Sequence, residues 1–523
     1  MRKLLGSLGP LLVLAALATG CGKSSAPADV TPPAPPATSN PEADAAVATS
    51  EAKSDAAAVA PSADAASAPA DGVVAAVAAV PRYYLAKIQL PGDMTLTAHV
   101  VVEGAVGTID IPMQRIEKAP LTDVTASDSE VAFSLHPPGA PPEVNVRFAA
   151  KKEAGATKFT GDLDQMGMKV PLTLEAVGGP ADFIAKRPQT PQPPFPYKTE
   201  LVKVAISDGE LGCTLSLPEG DGPHPVMVMF TGSGAQDRDE TIFDHKPFLV
   251  LSDKVVRAGV GTLRCDDRGV GESTGSMADA DIGIFVADGK ALVAYLAGRK
   301  DIDKKHIGVL GHSEGGIVVG ELAKAGGIAF VVTLSGPALS GREVSVRQNL
   351  DLVLAQGVAP DQAATLEKAL DALFRGMAED APEAELEALA KTLATAVAAA
   401  RDDDATPVEQ IAAQFAPLLT NRWLRSWVKA KPAEMLASVK VPVLAMFGEK
   451  DTQVPGAEHS TALKKAFDAA RKDNGQVEMV MGVNHLFQTA TTGKVSEYEE
   501  IEETMQPVVI DRVVAWIVKQ VGK

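Results

Sequence analysis

The pattern of apolar and polar positions divides the chain into stretches of different grammar. Residues 11–17 form a short apolar run behind Arg2 and Lys3. It is too short to span a bilayer comfortably and suits the core of an export signal covering residues 1–20. Over residues 21–80 large apolar side chains almost vanish, and Ala, Pro, Ser, Thr and Asp take their place. Such a segment cannot bury enough surface to offset its ordering entropy, so a disordered, proline-extended spacer is expected. Between residues 83 and 177 the apolar positions alternate, over 94–102, 131–135, 144–149 and 170–174, with Gly, Pro and Asp clusters between them. A period of two predicts a compact antiparallel sheet or small barrel, an all-β domain over 81–180.

The proline-rich stretch 188–196 reads as a linker, and the pattern then changes again. Continuous apolar runs at 224–230, 260–265, 306–310, 329–334 and 441–447 alternate with helical patterns such as 248–258 and 285–297. Runs apolar on every residue fit strands covered on both faces, so residues 195–523 are expected to form a doubly wound parallel α/β sheet. In such sheets ligands gather at the carboxyl ends of the strands.

Composition adds exclusions. At 523 residues and 46% hydrophobic the chain can support two domains and a large core. A net charge of −18 argues against a nucleic-acid partner, which would require a basic face. Neither C-x-x-C nor H-E-x-x-H spacing occurs, so no metal or cofactor is expected. Of the three cysteines, Cys21 follows the small residues Ala18-Thr19-Gly20 and resembles the lipidated cysteine of a bacterial lipobox, although Ala18 stands where leucine is commonest. The reading is an exported lipoprotein held at a membrane by an N-terminal lipid, facing the periplasm or in the outer membrane. With Cys21 consumed by processing, Cys213 and Cys265 could pair in an oxidising compartment, but each lies in an apolar strand-like run and buried free thiols are the expectation.

The chemistry is concentrated in a few turns. Gly311-His312-Ser313-Glu314-Gly315 matches the G-x-S-x-G elbow, in which a serine sits at the apex of a tight strand-to-helix turn. The apolar run before it and the helical run after it supply that context. Gly271-Glu272-Ser273-Thr274-Gly275 fits the same pattern but follows a turn, so Ser273 is rejected as nucleophile. A serine needs a base, and the base an orienting acid; in this arrangement they follow in the order Ser, Asp or Glu, His. Asp451 lies just past a late strand, with Glu449 as the alternative acid. His485 directly follows the last strand-like run. His459 is too close to Asp451, His312 is locked in the elbow, and His306 precedes its strand. Two backbone amides are needed for a tetrahedral oxyanion. They are expected from Glu314 and from Ser233, with Gly234 as the alternative.

The segments 230–241, 245–248, 266–271 and 311–316 resemble a family of bacterial two-domain α/β-hydrolases. Its members are described as carboxylesterases and are related to serine aminopeptidase-like and prolyl-oligopeptidase-like hydrolases. The resemblance covers most of the chain beyond residue 80 and implies a small β domain before the catalytic one. It also implies triad roles for Ser313, Asp451 and His485. Asp237, Arg238, Asp267 and Arg268 receive no role from it and are expected to brace loops through ion pairs. The stretch from Ser313 to Asp451 exceeds what two further strand–helix units require. The excess, about residues 342–434, is rich in Ala, Leu, Glu and Asp and reads as a helical cap over the serine or as elaborated scaffold. Three functions fit these features: an esterase cleaving small carboxylic esters, a peptidase or amidase with the same triad, or a non-catalytic binding lipoprotein.

Overall fold

In the computed structural model the described residues are 80–523, apart from 91–93, 112–113, 115, 138–143, 166–167, 184–185, 279, 356–357 and 402–406. The export signal, Cys21 and the spacer therefore lie outside them. The alternating segment closes into an eight-stranded antiparallel barrel. Its strands are β1 (Arg82–Leu90), β2 (Met94–Glu103), β3 (Val106–Ile111), β4 (Ile116–Ala126), β5 (Glu130–Leu135), β6 (Val146–Lys151), β7 (Lys158–Gln165) and β8 (Met168–Val177). Closure is made by β1 pairing with both β2 and β8. Alternation explains the interior: in β6 Val146, Phe148 and Ala150 point inward while Arg147 and Lys151 are exposed. Phe133 and Phe148 stack inside at 4.7 Å, and Tyr84, Ile88, Phe159 and Leu172 share the same core. An eight-stranded barrel is just wide enough for its own side chains to fill it.

The second sheet has strands β9 (Lys198–Ile206), β10 (Gly209–Leu217), β11 (His224–Phe230), β12 (Gly261–Cys265), β13 (Ile302–His312), β14 (Val331–Leu334), β15 (Val443–Gly448) and β16 (Gly475–Val480). Their order is β16-β15-β14-β13-β11-β12-β10-β9. Strands β11 to β16 run parallel, but β9 and β10 pair antiparallel at one edge. The sheet is therefore mixed rather than wholly parallel. Strand β9 escapes a reading based on apolar runs because, as an edge strand, it buries only Val202 and Val204. His306 lies within β13, not before it, and its ring meets Asp303 at 2.7 Å.

Helices cover both faces. Helices α1 (Pro247–Arg257) and α11 (Pro507–Gln520) pack on one face against Met227, Leu310 and Val332. Helices α2 (Ile282–Ala297), α3 (Gly315–Ala325) and α10 (Gly456–Ala470) belong to the core of the other. Between β14 and β15 the chain inserts α4 (Gly341–Ala355), α5 (Pro360–Ala378), α6 (Glu383–Arg401), α7 (Val408–Leu419), α8 (Arg422–Lys429) and α9 (Pro432–Ser438). Leu370, Leu373, Phe374, Leu393 and Phe415 of this insertion are buried in one apolar cluster continuous with the core on the face of the sheet that α3 covers. Strand order, helices on both faces and the inserted helices together make an α/β-hydrolase fold with a helical cap, preceded by the all-β barrel.

Cys213 and Cys265 are bonded to each other. The expectation of free thiols fails because β10 and β12 are antiparallel neighbours with these two residues in direct register. Apolar runs reveal two strands but not that they are adjacent.

Candidate active site

The elbow is compressed by its glycines. A Cβ on Gly311 would lie 2.1 Å from the Gly315 carbonyl oxygen, and one on Gly315 would lie 2.4 Å from that of Phe230. Neither position accepts a side chain without moving backbone. Ser313 takes φ 50°, a left-handed conformation unusual for a residue with a Cβ. Its amide donates to the Leu334 carbonyl at 2.9 Å. The turn thus lifts Ser313 to the carboxyl end of β13, the position expected for it. Ser273, the rejected alternative, is buried as a brace, donating to the Asp266 carbonyl and accepting from the Gly212 amide.

Asp451 and His485 come from the turns after β15 and β16. His485 Nδ1 donates to Asp451 Oδ2 at 2.7 Å. Asp451 Oδ1 accepts the amides of Gln453 at 2.9 Å and Val454 at 2.8 Å, which hold the carboxylate plane. Burial by itself raises the Asp451 carboxyl, but the His485 charge and hydrogen bond, with the Val454 amide, outweigh it and leave its pKa lowered. Gly448 lets the two turns meet, since a Cβ there would strike the Val483 carbonyl oxygen at 2.6 Å. Glu449 instead accepts the Gly482 amide on an exposed surface. His459 accepts the Ala338 and Leu339 amides through Nδ1, and burial lowers its pKa to about 4. It is therefore a neutral structural acceptor.

The loop after β11 stands over the elbow. A Cβ on Gly232 would lie 3.2 Å from that of Ser313. Among the described residues neither the Ser233 nor the Glu314 amide meets a protein acceptor, leaving both donors open beside the serine. Glu240 fixes this loop: its Oε1 accepts the Gly232 amide at 2.6 Å and meets His312 Nδ1 at 2.8 Å. His312 Nε2 in turn lies 3.1 Å from the His485 carbonyl. Burial opposes charge on His312, but the Glu240 carboxylate prevails and its pKa is raised. One buried pair therefore joins the loop, the elbow and the base turn. The role of Glu240 has no sequence signal, because the contact joins residues far apart along the chain.

The expected ion pairs form in part. Arg238 binds Asp266 and Glu272, and Arg268 binds Asp288 and Asp208. Asp237 instead accepts the amides of Asp239 and Thr241. Asp267 takes the Thr231 hydroxyl and the Gln236 amide and, among the described residues, no cation. That expectation fails because the arginines beside it point to other carboxylates.

A cleft partly open to solvent, with a cavity volume of about 100 Å³, is lined by Ser233, Gly234 and Glu314 and by Phe285, Leu292 and Val318. The cap reaches its wall through Trp423, whose indole donates to Glu314 Oε1 at 2.7 Å. Trp423 stacks on Trp427, and Ser426 on the same helix accepts the Ile282 amide. The insertion is thus tied directly to the residue after the elbow serine.

The chain is similar to known proteins over part of its length. Residues 248–489, under half of the chain, match the family described as serine aminopeptidase, S33. Esterase EstD of Thermotoga maritima is 24% identical over 365 residues, covering 69% of this chain and 79% of that protein. Among solved structures, Est1E from Butyrivibrio proteoclasticus is 15% identical with a TM-score of 0.37, covering 62% of this chain and 99% of its own. The fold is that of the α/β hydrolases, and the matched segment is similar to a hydrolase family with that fold. The eight-stranded barrel precedes that fold along the chain.

Proposed function

We propose that this protein is a serine esterase cleaving carboxylic esters through an acyl-enzyme on Ser313. The observation that carries the reading is the His485–Asp451 hydrogen bond in the turn that packs against the elbow. With Nδ1 engaged by Asp451, the imidazole offers Nε2 as the base. His485 takes the Ser313 proton as Oγ attacks the ester carbonyl, and the oxyanion gathers the Ser233 and Glu314 amides. The protonated imidazole then gives its proton to the departing alcohol. Water, activated by the same ring, releases the acid. The EstD relative, described as an esterase, supports the choice of ester over amide.

Ser313→Ala is expected to abolish ester hydrolysis and fluorophosphonate labelling, while Ser273→Ala leaves labelling intact. Stoichiometric labelling of Ser313→Ala would remove the assignment.

We further infer that the enzyme is exported and anchored through lipid on Cys21. Two acyl chains give stable attachment where one is marginal. The Cys213–Cys265 bond supports an oxidising compartment. Cys21→Ser is expected to abolish palmitate incorporation and release the protein from membranes. Absence of palmitate in the wild-type protein, made in a lipoprotein-competent host, would leave an ordinary secreted enzyme.

A further inference from the structure

The segment between the His485 turn and α11 carries charges that do not favour its own shape. Residues 497–503 hold five glutamates in seven positions, and like charges at that density repel one another. The segment is nevertheless tightly held, and Tyr498 within it is fully buried. Much of what holds it comes from outside the hydrolase sheet. Arg187, on the chain between the barrel and β9, donates through Nη2 to the Glu499 carbonyl at 2.9 Å and through Nη1 to the Ile501 carbonyl at 3.2 Å. Its Nε and Nη2 also reach the Phe243 carbonyl, at 3.0 and 2.7 Å. Gln189 pairs through its side-chain amide with the main chain of Thr504 and Met505. From the barrel itself, Thr97 of β2 donates to the Glu499 carboxylate and Lys87 of β1 meets Glu500.

The inner side of the same segment meets the turn of the acid. Tyr498 Oη accepts Gln453 Nε2 at 3.0 Å, and the Gln453 amide is one of the two that fix Asp451 Oδ1. Thr452, next to Asp451, donates to the Gly493 carbonyl. Glu497 gathers the amides of Thr491, Thr492 and Gly493. The Tyr498 carbonyl also meets His245 Nε2 at 2.9 Å, and His245 Nδ1 meets the Thr504 hydroxyl at 2.9 Å. Phe243, whose carbonyl Arg187 holds, packs edge-on against the Tyr498 ring. Burial and the Asp451 charge raise the Tyr498 hydroxyl above the ordinary tyrosine range, so it stays neutral beside the acid.

We propose that Arg187 and Tyr498 are positioning residues of the triad: Arg187 fixes the glutamate-rich segment beside the barrel, and Tyr498 passes that fixation to the turn of Asp451. The proposal rests on the reading of Ser313, Asp451 and His485 as a triad. Its physical basis is rigidity. A turn holds a catalytic carboxylate to about half an ångström only when its neighbours are themselves fixed. Thr452 and Gln453 are anchored on residues 493–498, where the only regular element is the single turn Val495–Glu497. Arg187 brings a positive charge among the glutamates and takes main-chain carbonyls that no strand or helix uses. The Lys87–Glu500 pair is more exposed and adds little, so the guanidinium is the principal tie. The barrel is then part of what orients the acid, rather than a passenger on the same chain.

The test uses Arg187→Met, Tyr498→Phe, the two combined, and Phe133→Leu, all in the full-length chain. The last loosens the barrel core without touching the segment. With p-nitrophenyl acetate, kcat is expected to fall roughly 10- to 100-fold in each of the first two, the effect of a misplaced catalytic group, while KM changes by less than about threefold. The double variant should lose about as much as the worse single one, because both act through one segment. Phe133→Leu should melt at a lower temperature yet keep its kcat. A kcat within about twofold of wild type in both Arg187→Met and Tyr498→Phe overturns the proposal, and so does multiplication of their effects in the double variant. Tyr498→Phe removes one oxygen and keeps the ring, so it serves alone if Arg187→Met does not fold. A second readout needs no turnover: the strongly deshielded proton of the His485–Asp451 hydrogen bond in proton NMR spectra. That resonance should shift or broaden in Arg187→Met and Tyr498→Phe and stay in place in Phe133→Leu; an unchanged resonance in the first two overturns the proposal. If wild type shows the resonance but neither cleaves esters nor labels with a fluorophosphonate, the esterase reading alone fails, and the positioning role is still decided by the resonance.

Discussion

Replacing Asp451 by Asn is the sharpest probe of the site, because the surrounding hydrogen bonds dictate how the new side chain must sit. The amides of Gln453 and Val454 both point at Oδ1. In the variant they demand the amide oxygen there, which turns the NH₂ toward His485 Nδ1. That nitrogen must then accept, the proton moves to Nε2, and the ring can no longer take a proton from Ser313. The expected loss is about 10⁴-fold in kcat, or about 5.5 kcal/mol in the barrier. Steady-state hydrolysis of p-nitrophenyl acetate measures it, with fluorophosphonate labelling rate as a second readout. Glu449→Gln is the control and should change kcat little, since Glu449 only accepts the exposed Gly482 amide. A drop of less than about tenfold in Asp451→Asn, or the larger drop in Glu449→Gln, would refute the tautomer argument.

Three further outcomes are expected. Alkylation of the denatured, unreduced chain should leave Cys213 and Cys265 unmodified in mass spectra, and reduction should cost on the order of 4 kcal/mol, from closure of a loop with sequence separation 52; full alkylation without reductant would contradict the pairing. Asp267 has a folded pKa raised from 3.8 to about 8 by burial, so its contribution is fully present below the lower value and lost by the higher one; wild type should therefore lose thermal stability between about pH 4 and about pH 8 relative to Asp267→Asn, and equal losses would argue against a desolvated carboxyl without a cation beside it. Trp423→Phe removes the indole donor to Glu314 and opens the cleft wall; the acyl-length optimum of a p-nitrophenyl ester series should move to longer chains, and an unchanged profile in folded protein would make the insertion scaffold rather than cap.

Chain order and local pattern were enough for much of this molecule. The elbow is a local device: its glycines, its serine and the strand and helix on either side are consecutive, so the tight turn is written in adjacent residues. The late acid and base stand in turns directly after strand-like runs, and the order of the triad candidates along the chain is itself a property of sequence. The alternation of residues 83–177 prescribed strands with one buried face. What it did not prescribe was closure, because only the pairing of β1 with β8 decides between an open sheet and a barrel.

The rest depends on distances between residues remote in sequence. Cys213 and Cys265 became a bond through the register of β10 on β12, and β9 went unread because an edge strand need not be apolar. Glu240 joins His312 and Gly232 across a loop, and Trp423 reaches Glu314 from a helix whose position over the serine no periodicity records. Asp267 was expected to be neutralised by a neighbouring arginine, yet Arg238 and Arg268 turn to Asp266 and Asp288. Sequence supplied the charges in this protein, but which of them are paired was decided by packing. The free energy of a buried charge depends on what lies within a few ångströms of it, and only the folded chain sets that distance.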